Sequence, residues 1–435
     1  TWGRWSFIGL NPSLTLTLTH GSLTVEGDLP DGVSTGEGLL VAMQGLLEVY
    51  QSPDIDGLPP LHGGLMGYLG YDVVREVEHL PDTPPDDRGF PDGVMSVIGD
   101  MVAIDHWRQR AVLIANVVIP ENADEETLDS LYAEAQQRLD DLAAAGAKPL
   151  DEPLMAPPDP EEEPPETTSS ISRENYCLAV EAAREHILAG DIFQVVLSQR
   201  FDVELGAEPF DVYRVLRQIN PSPYMYFLRY PDMTVVGSSP EPMVQLLGGR
   251  VISRPIAGTR RRGASDVEDR RMAAELVEDP KERAEHVMLM DLARNDVGRV
   301  VRFGTEEVEE MMTLERYSHV MHLTSQVSGE LAPGHTPIDV LRATLPAGTV
   351  SGAPKVRAME IIDQLEPVKR GPYAGVVGYF DFSGNIDTAI AIRTMLVKDG
   401  IASVQAGAGI VADSIPEAEY EECRNKAKAL LVAVP

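Results

Sequence analysis

Two acidic stretches lie far apart in this chain, and each looks like the start of a helix. The first is Asp279-Pro-Lys-Glu282-Arg-Ala-Glu285-His286, which runs on through Val-Met-Leu-Met to Asp291-Leu-Ala-Arg-Asn-Asp296. The second is Glu417-Ala-Glu419-Tyr-Glu421-Glu422-Cys423-Arg424-Asn425-Lys426. Each offers a glutamate pair at i, i+3 (Glu282 with Glu285, Glu419 with Glu422), so both carboxylates of a pair share one helix face. Asp279 reads as an N-cap with Pro280 at N1 and Glu282 at N3. Ser414 reads as the cap of the second helix, with Glu417 at N3, which leaves Glu419 and Glu422 without a capping role. An acidic helix start is ordinarily a solvated face. Two of them, each leading into an apolar helix, can instead face one another and hold a hard divalent cation. Mg²⁺ suits such a set when waters and an anionic substrate fill its remaining positions.

The 435 residues are 43% hydrophobic, enough for a large core formed by one domain or two interlocked ones. A net charge of −33 disfavours nucleic acid and anionic membranes as partners. No apolar run reaches the ~18 residues of a membrane span, and no leader pattern opens the chain. Cys177 and Cys423 sit in helical patterns without CxxC spacing, as thiols of a reducing cytoplasm do. The chain opens on Thr1-Trp-Gly-Arg-Trp5-Ser-Phe-Ile-Gly9, which resembles an interior strand, so a preceding segment is expected.

Leu14–Thr19 alternates with period two, as a strand does. Residues 36–50 and 125–145 carry helical periodicity. Met95–Asp105 and Ala111–Ile119 read as a buried hairpin. Gly146–Ser170 is rich in Pro, Glu and Ser/Thr and cannot bury enough to fold alone. It separates residues 1–145 from a tighter pattern over 171–435. There, strands at 192–198, 224–230, 234–237, 243–247, 250–254, 395–398 and 401–405 are interspersed with helices at 172–189, 210–219, 268–277, 280–294, 336–343, 354–365 and 415–433. The irregular alternation predicts an α+β fold, antiparallel sheets with helices layered outside.

Three Gly-containing stretches, Pro255–Arg260, Pro346–Lys355 and Gln405–Ile410, read as turns that could cradle a carboxylate. None satisfies a Walker or dinucleotide fingerprint in its proper context. His322 alternates within a strand-like segment, where a satisfied core histidine is the plain reading. No nucleophile elbow and no Cys–His pair is present, so glutamine hydrolysis is not expected of this chain.

Taken together, Gly190-Asp-Ile-Phe-Gln194-Val-Val-Leu-Ser-Gln-Arg200, Gly237-Ser-Ser-Pro-Glu241-Pro, Pro255-Ile-Ala257-Gly-Thr259-Arg, Lys281–Asp296 and Glu419–Lys426 resemble the chorismate-binding enzymes. The resemblance is dense over 172–435 and looser before it. It implies two large antiparallel sheets packed face to face with helices outside. It also implies Mg²⁺ held directly by Glu285 and Glu422, with Glu282 and Glu419 acting through water, and the ring carboxylate of chorismate completing the shell. Glu241 matches the family's general acid, and His322, with Thr349 beside it, the catalytic histidine. Gln194 stands where water-using relatives carry a Lys base, which suits ammonia as nucleophile. Arg393 resembles the clamp on the enolpyruvyl carboxylate, aided by Tyr373 and the Gly407–Gly409 backbone. Gly258, Thr259 and Lys426 fall among the substrate contacts. Pro223, Tyr224 and Met225 resemble part of a tryptophan feedback pocket whose remainder is expected upstream of Thr1.

These matches point to the anthranilate-forming branch: chorismate and ammonia give anthranilate and pyruvate, which opens tryptophan biosynthesis. The ammonia would come from a separate glutaminase subunit, in a heterotetramer. Ala257 argues against the 4-amino branch, where relatives carry a nucleophilic Lys, and Gln194 argues against the isochorismate and salicylate branches. A silent acidic binding subunit would be favoured only if Glu285, Glu422 or His322 were replaced, and none is.

Overall fold

The computed structural model describes residues 3–53, 55–150, 164–316 and 320–434, with the side chain of Thr259 excepted. Thr1, Trp2, most of the Pro/Glu-rich stretch and Tyr317–His319 lie outside the described residues. Among these residues the strands form three antiparallel sheets, of eleven, seven and three strands.

The largest sheet runs from Ile256–Arg261 through Val320–Glu330, Arg250–Ser253, Pro242–Leu247, Ile386–Ile390, Val376–Asp381, Gly64–Leu69, Gly93–Ile98 and Leu14–Thr19 to Ser22–Gly27. Glu307–Arg316 branches from Val320–Glu330. The second sheet orders Tyr224–Arg229, Thr234–Ser239, Thr394–Lys398, Ile401–Ile410, Gln194–Glu204 and Gly352–Ala353. One core joins the two: Leu65, Val244 and Phe380 of the larger sheet share a cluster with Val195, Leu197 and Ala408 of the smaller. The alternation of Leu14–Thr19 is realised as expected, with Leu14, Leu16 and Leu18 buried and the threonines half-buried.

Helices cover the outside. Arg173–Ala189 is capped by the Ser172 hydroxyl and stopped at Gly190, whose φ of 84° is left-handed. It packs beside Pro416–Leu431 over the smaller sheet. Pro280–Gly298 lies against Ile256–Arg261 and Val320–Glu330 of the larger one.

Segments on both sides of the Pro/Glu-rich stretch share one sheet, since Val376–Asp381 pairs with Gly64–Leu69 over the whole strand. The expected hairpin after Met95 is different in space. Gly93–Ile98 belongs to the eleven-stranded sheet, and a break at Gly99 sends Asp100–Asp105 into the small sheet to pair with Arg110–Ala115. Two of the Gly-containing stretches read as turns are strands, Ile256–Arg261 and Ile401–Ile410. Strands at Glu307–Arg316, Val376–Asp381 and Ile386–Ile390 were not anticipated.

Candidate functional site

The chain crosses between the two large sheets at two neighbouring corners. Thr234–Ser239 of the smaller sheet passes through Pro240–Glu241 into Pro242–Leu247 of the larger. Ile386–Ile390 of the larger passes through Ala391–Arg393 into Thr394–Lys398 of the smaller. The corners are stitched together. The Ile390 N–H donates to the Glu241 carbonyl at 3.0 Å, the Ser239 hydroxyl to the Ile390 carbonyl at 2.7 Å, and the Ser238 N–H to the Arg393 carbonyl at 3.0 Å. Arg393 holds a left-handed φ of 48°, a conformation uncommon for its side chain and concentrated at functional sites. Glu241 and Arg393 are thereby fixed at the seam.

Glu241 is 8% exposed. Burial pushes its carboxyl up to about 8, against the smaller opposing pulls of Thr349, the Ile256 N–H and Lys426. The Thr349 hydroxyl lies in the short turn Gly348–Val350, buried without a formed hydrogen bond, close enough to Glu241 to favour its charge. His322 sits opposite Thr259 in the sheet register, its Nδ1 3.2 Å from the Gly258 carbonyl. Burial, with the nearby Arg393 charge, lowers its pKa and keeps the ring neutral.

Gln194 opens the strand that pairs with Ile401–Ile410. A Cβ at position 409 would lie 2.6 Å from Gln194 Nε2, and one at 407 would lie 2.8 Å from the Tyr373 hydroxyl. Both glycines are therefore required for side chains to approach this backbone. Gln194 Oε1 is buried without a hydrogen-bond partner. Lys426 Nζ donates to the Gly407 carbonyl and pairs with Glu422, both at 2.8 Å.

The glutamate pairs occupy two helix starts near enough for the charge of Glu422 to act on Glu285. Asp279 caps its helix by accepting from the N–H groups of Lys281 and Glu282. The Glu282 carboxylate is taken by Arg260 at 2.9 Å rather than closing a capping box. A Cβ at Gly258 (φ 68°) would come within 3.0 Å of Glu282 Oε2. The second start differs from its sequence reading. Ile415, not Ser414, is the N-cap, and no side chain caps the helix, so Glu417 has no capping role. The Ser414 hydroxyl instead accepts from the Val411 N–H at 3.0 Å, and it also steadies the charge of Glu419. Burial and the charges of Glu282 and Glu422 raise the pKa of Glu285, while burial and Glu422 raise that of Glu419.

Among the described residues no three acidic or histidine side chains converge at metal-ligand distance. The donor chemistry nonetheless fits Mg²⁺. These are hard oxygens whose mutual repulsion marks a shortage of positive charge, and this ion needs only one or two carboxylates beside waters and substrate.

Pro223, Tyr224 and Met225 lie at the edge of the smaller sheet, where Tyr224 begins the strand Tyr224–Arg229. The Tyr224 hydroxyl donates to Asp387 at 2.9 Å. Just before them, Asn220 Oδ1 accepts from Arg393 Nη1 at 3.4 Å, which joins this edge to the seam.

A family model described as chorismate binding enzyme matches residues 13–432. The chain belongs to the chorismate-binding enzymes. Within them it is 46% identical to anthranilate synthase component 1 of Acetivibrio thermocellus over 438 residues, all of this chain and 87% of that protein. It is 48% identical to the same component of Mycobacterium tuberculosis over 443 residues, all of this chain and 85% of the relative. The crystal structure of anthranilate synthase component I from Streptococcus pneumoniae superposes with a TM-score of 0.85 at 39% identity, covering 99% of this chain and 92% of that one. The menaquinone-specific isochorismate synthase of Escherichia coli shares the fold alone, with a TM-score of 0.71 at 19% identity.

Sequence reasoning missed the buried ion pair beneath this candidate site. Arg370, 3% exposed, pairs with Glu366 and donates to the carbonyls of Val350 and Val196. Glu366 accepts from the Ser198 N–H and hydroxyl. The pair ties the Thr349 turn to the Gln194 strand and lies against Tyr373. A charged residue before a Gly-Pro turn gives no hint of this in sequence. The Asp296–Lys355 bridge at 2.9 Å joins two noted motifs that nothing in sequence paired.

Proposed function

We propose that this chain aminates chorismate with ammonia and releases pyruvate to give anthranilate, the product named by its relatives. The observation that carries the reading is Glu241, a carboxyl pushed up to about 8 by burial and fixed beside Arg393 at the sheet seam. A carboxyl protonated near neutral pH can donate to the departing ring hydroxyl. The orphaned Gln194 Oε1 accepts an N–H of ammonia and aims its lone pair at the ring. It adds no charge, in keeping with a nucleophile that needs no base. Neutral His322 takes the ring proton as pyruvate leaves. Arg393 grips the enolpyruvyl carboxylate through its planar fork, with Tyr373 and the bare Gly407–Gly409 backbone beside it, and Gly258, Thr259 and Lys426 complete the contacts.

Glu285 and Glu422 would hold Mg²⁺ directly, with Glu282 and Glu419 acting through water. When bound, the ion would supply the positive charge that lets a dianion enter this acidic site. A component 1 works with a partner component. We assign that partner as a glutaminase supplying ammonia, in a cytoplasmic heterotetramer. Pro223, Tyr224 and Met225 contribute to an effector site for tryptophan.

The test is incubation with chorismate, Mg²⁺ and ammonium at alkaline pH, with products identified by mass and fluorescence. Anthranilate and pyruvate are expected. An aminodeoxychorismate or isochorismate product, or no turnover, overturns the reading.

A further inference from the structure

A cavity of about 40 Å³ adjoins Glu241, and neither Gln194 nor Tyr373 is among its lining residues. Its walls include Glu241, Thr349, Thr344, Ala293, Asp296 and the charged Arg254. That volume holds about two water molecules, and the polar groups set in its largely apolar lining supply the partners such waters need. Glu241 and the Thr349 hydroxyl, buried without a formed hydrogen bond, both line it. So does Asp296, 7% exposed, whose carboxylate accepts from Lys355 Nζ at 2.9 Å. Lys355 also donates to the Thr344 carbonyl at 3.2 Å, and its side chain, 14% exposed, reaches solvent.

We propose that this cavity is a proton relay that recharges Glu241 after each turnover, with Asp296 as its relay group and Lys355 and Thr349 as positioning residues. The proposal rests on Glu241 being the general acid. In the chemical step the Glu241 proton passes to the ring oxygen, the C–O bond breaks with its electron pair leaving as water, and the ammonia nitrogen forms the C–N bond and keeps its extra proton until product is released to solvent. A carboxylate then remains, sealed on its substrate side while product is bound. Bulk solvent protonates Asp296 beside Lys355, Asp296 passes that proton to cavity water, and the water passes one on to Glu241, so the proton lost at Glu241 is replaced by the one that leaves with the product nitrogen. Asp296 can store the proton because burial raises its pKa while Lys355 restrains the rise. The relay accounts for two motifs without a role in the site itself, the end of the Asp291–Asp296 run and the Lys355 that follows Gly352-Ala-Pro.

The test compares Ala293→Leu, which fills the cavity without touching a titratable group, with Asp296→Asn and Asp296→Glu, each assayed with saturating chorismate, Mg²⁺ and ammonium. Ala293→Leu and Asp296→Asn should each lower kcat about tenfold. The chorismate KM should stay within about twofold, and the solvent deuterium isotope effect on kcat should increase. Asp296→Glu should restore both readouts. A purely structural role lowers the melting temperature and the active fraction but leaves the isotope effect unmoved. If Ala293→Leu fails to fold, Ala347→Val fills the same cavity from another lining position. Wild-type kcat and isotope effect in a folded cavity-filling variant overturn the relay. Anthranilate formation by the wild-type chain is read separately, so failure of the relay leaves the assigned reaction standing.

Discussion

The site contains carboxylates in two environments. Glu241 is alone: it is buried at a sheet corner, with Lys426 only a minor influence on its charge. The four helix-start glutamates are crowded and half open, with Arg260 on Glu282 and Lys426 on Glu422. Isolation keeps a carboxyl protonated and makes it an acid. Crowding keeps several carboxylates together and makes them a place for added positive charge. In the proposed reaction the same side chain thus serves two opposite ends, and the difference lies in where the backbone puts it rather than in local sequence.

Glu241→Gln should break the isolated half of this comparison with the largest effect. Removing the acid is expected to lower kcat by roughly 10²–10⁴-fold, read with chorismate and saturating ammonium. The same carboxyl predicts a pH signature. Its folded pKa, about 8, lies above the ordinary 4.5, so the native state binds the extra proton. The stability tied to that proton is complete below about 4.5 and is lost as pH rises through about 8. Urea midpoints should therefore fall between pH 5 and pH 9 more steeply for the wild type than for Glu241→Gln, and kcat at saturating ammonia should decline above about 8.

Glu422→Gln tests the crowded half. We expect Mg²⁺ affinity to fall by more than the ~10–100-fold typical of outer contacts, with the melting temperature in the absence of metal unchanged or higher, since one repelling charge has gone. Calorimetric titration with Mg²⁺ reads this apart from turnover. The smallest effects concern the helix starts themselves. Asp279→Ala should cost about 1 kcal/mol through loss of a working cap, and Ile415→Ser should gain about 0.5 kcal/mol by adding one. Equal responses to denaturant in both would erase the distinction between the two starts.

How much of this was legible follows the same division. The carboxylate pairs and the Asp279 cap were readable because i, i+3 spacing and Asp-Pro are local rules. The second cap was not. Ser414 has the right chemistry one residue too early, and its hydroxyl is committed to Val411. The Gly407–Gly409 stretch was misread as a turn because glycine signals loops. Here the missing Cβ atoms serve Gln194 and Tyr373 reaching across a strand, which only the tertiary fold reveals. Glu241 was placed by family resemblance alone, because its isolation is created by two sheet crossings distant in sequence. The Arg370–Glu366 pair and the cavity behind Glu241 leave no sequence signal at all.

The pairing of Gly64–Leu69 with strands on both sides has a consequence for how this chain is born. One neighbour, Gly93–Ile98, follows it off the ribosome almost at once. The other, Val376–Asp381, is made about 300 residues later. At ~5–20 residues per second the wait lasts about 15–60 s. Throughout that interval a largely apolar strand presents an open edge, the form most prone to join the wrong chain. The period of greatest danger for this protein therefore falls during its synthesis, and chaperone supply should govern its yield more strongly than the stability of the finished fold.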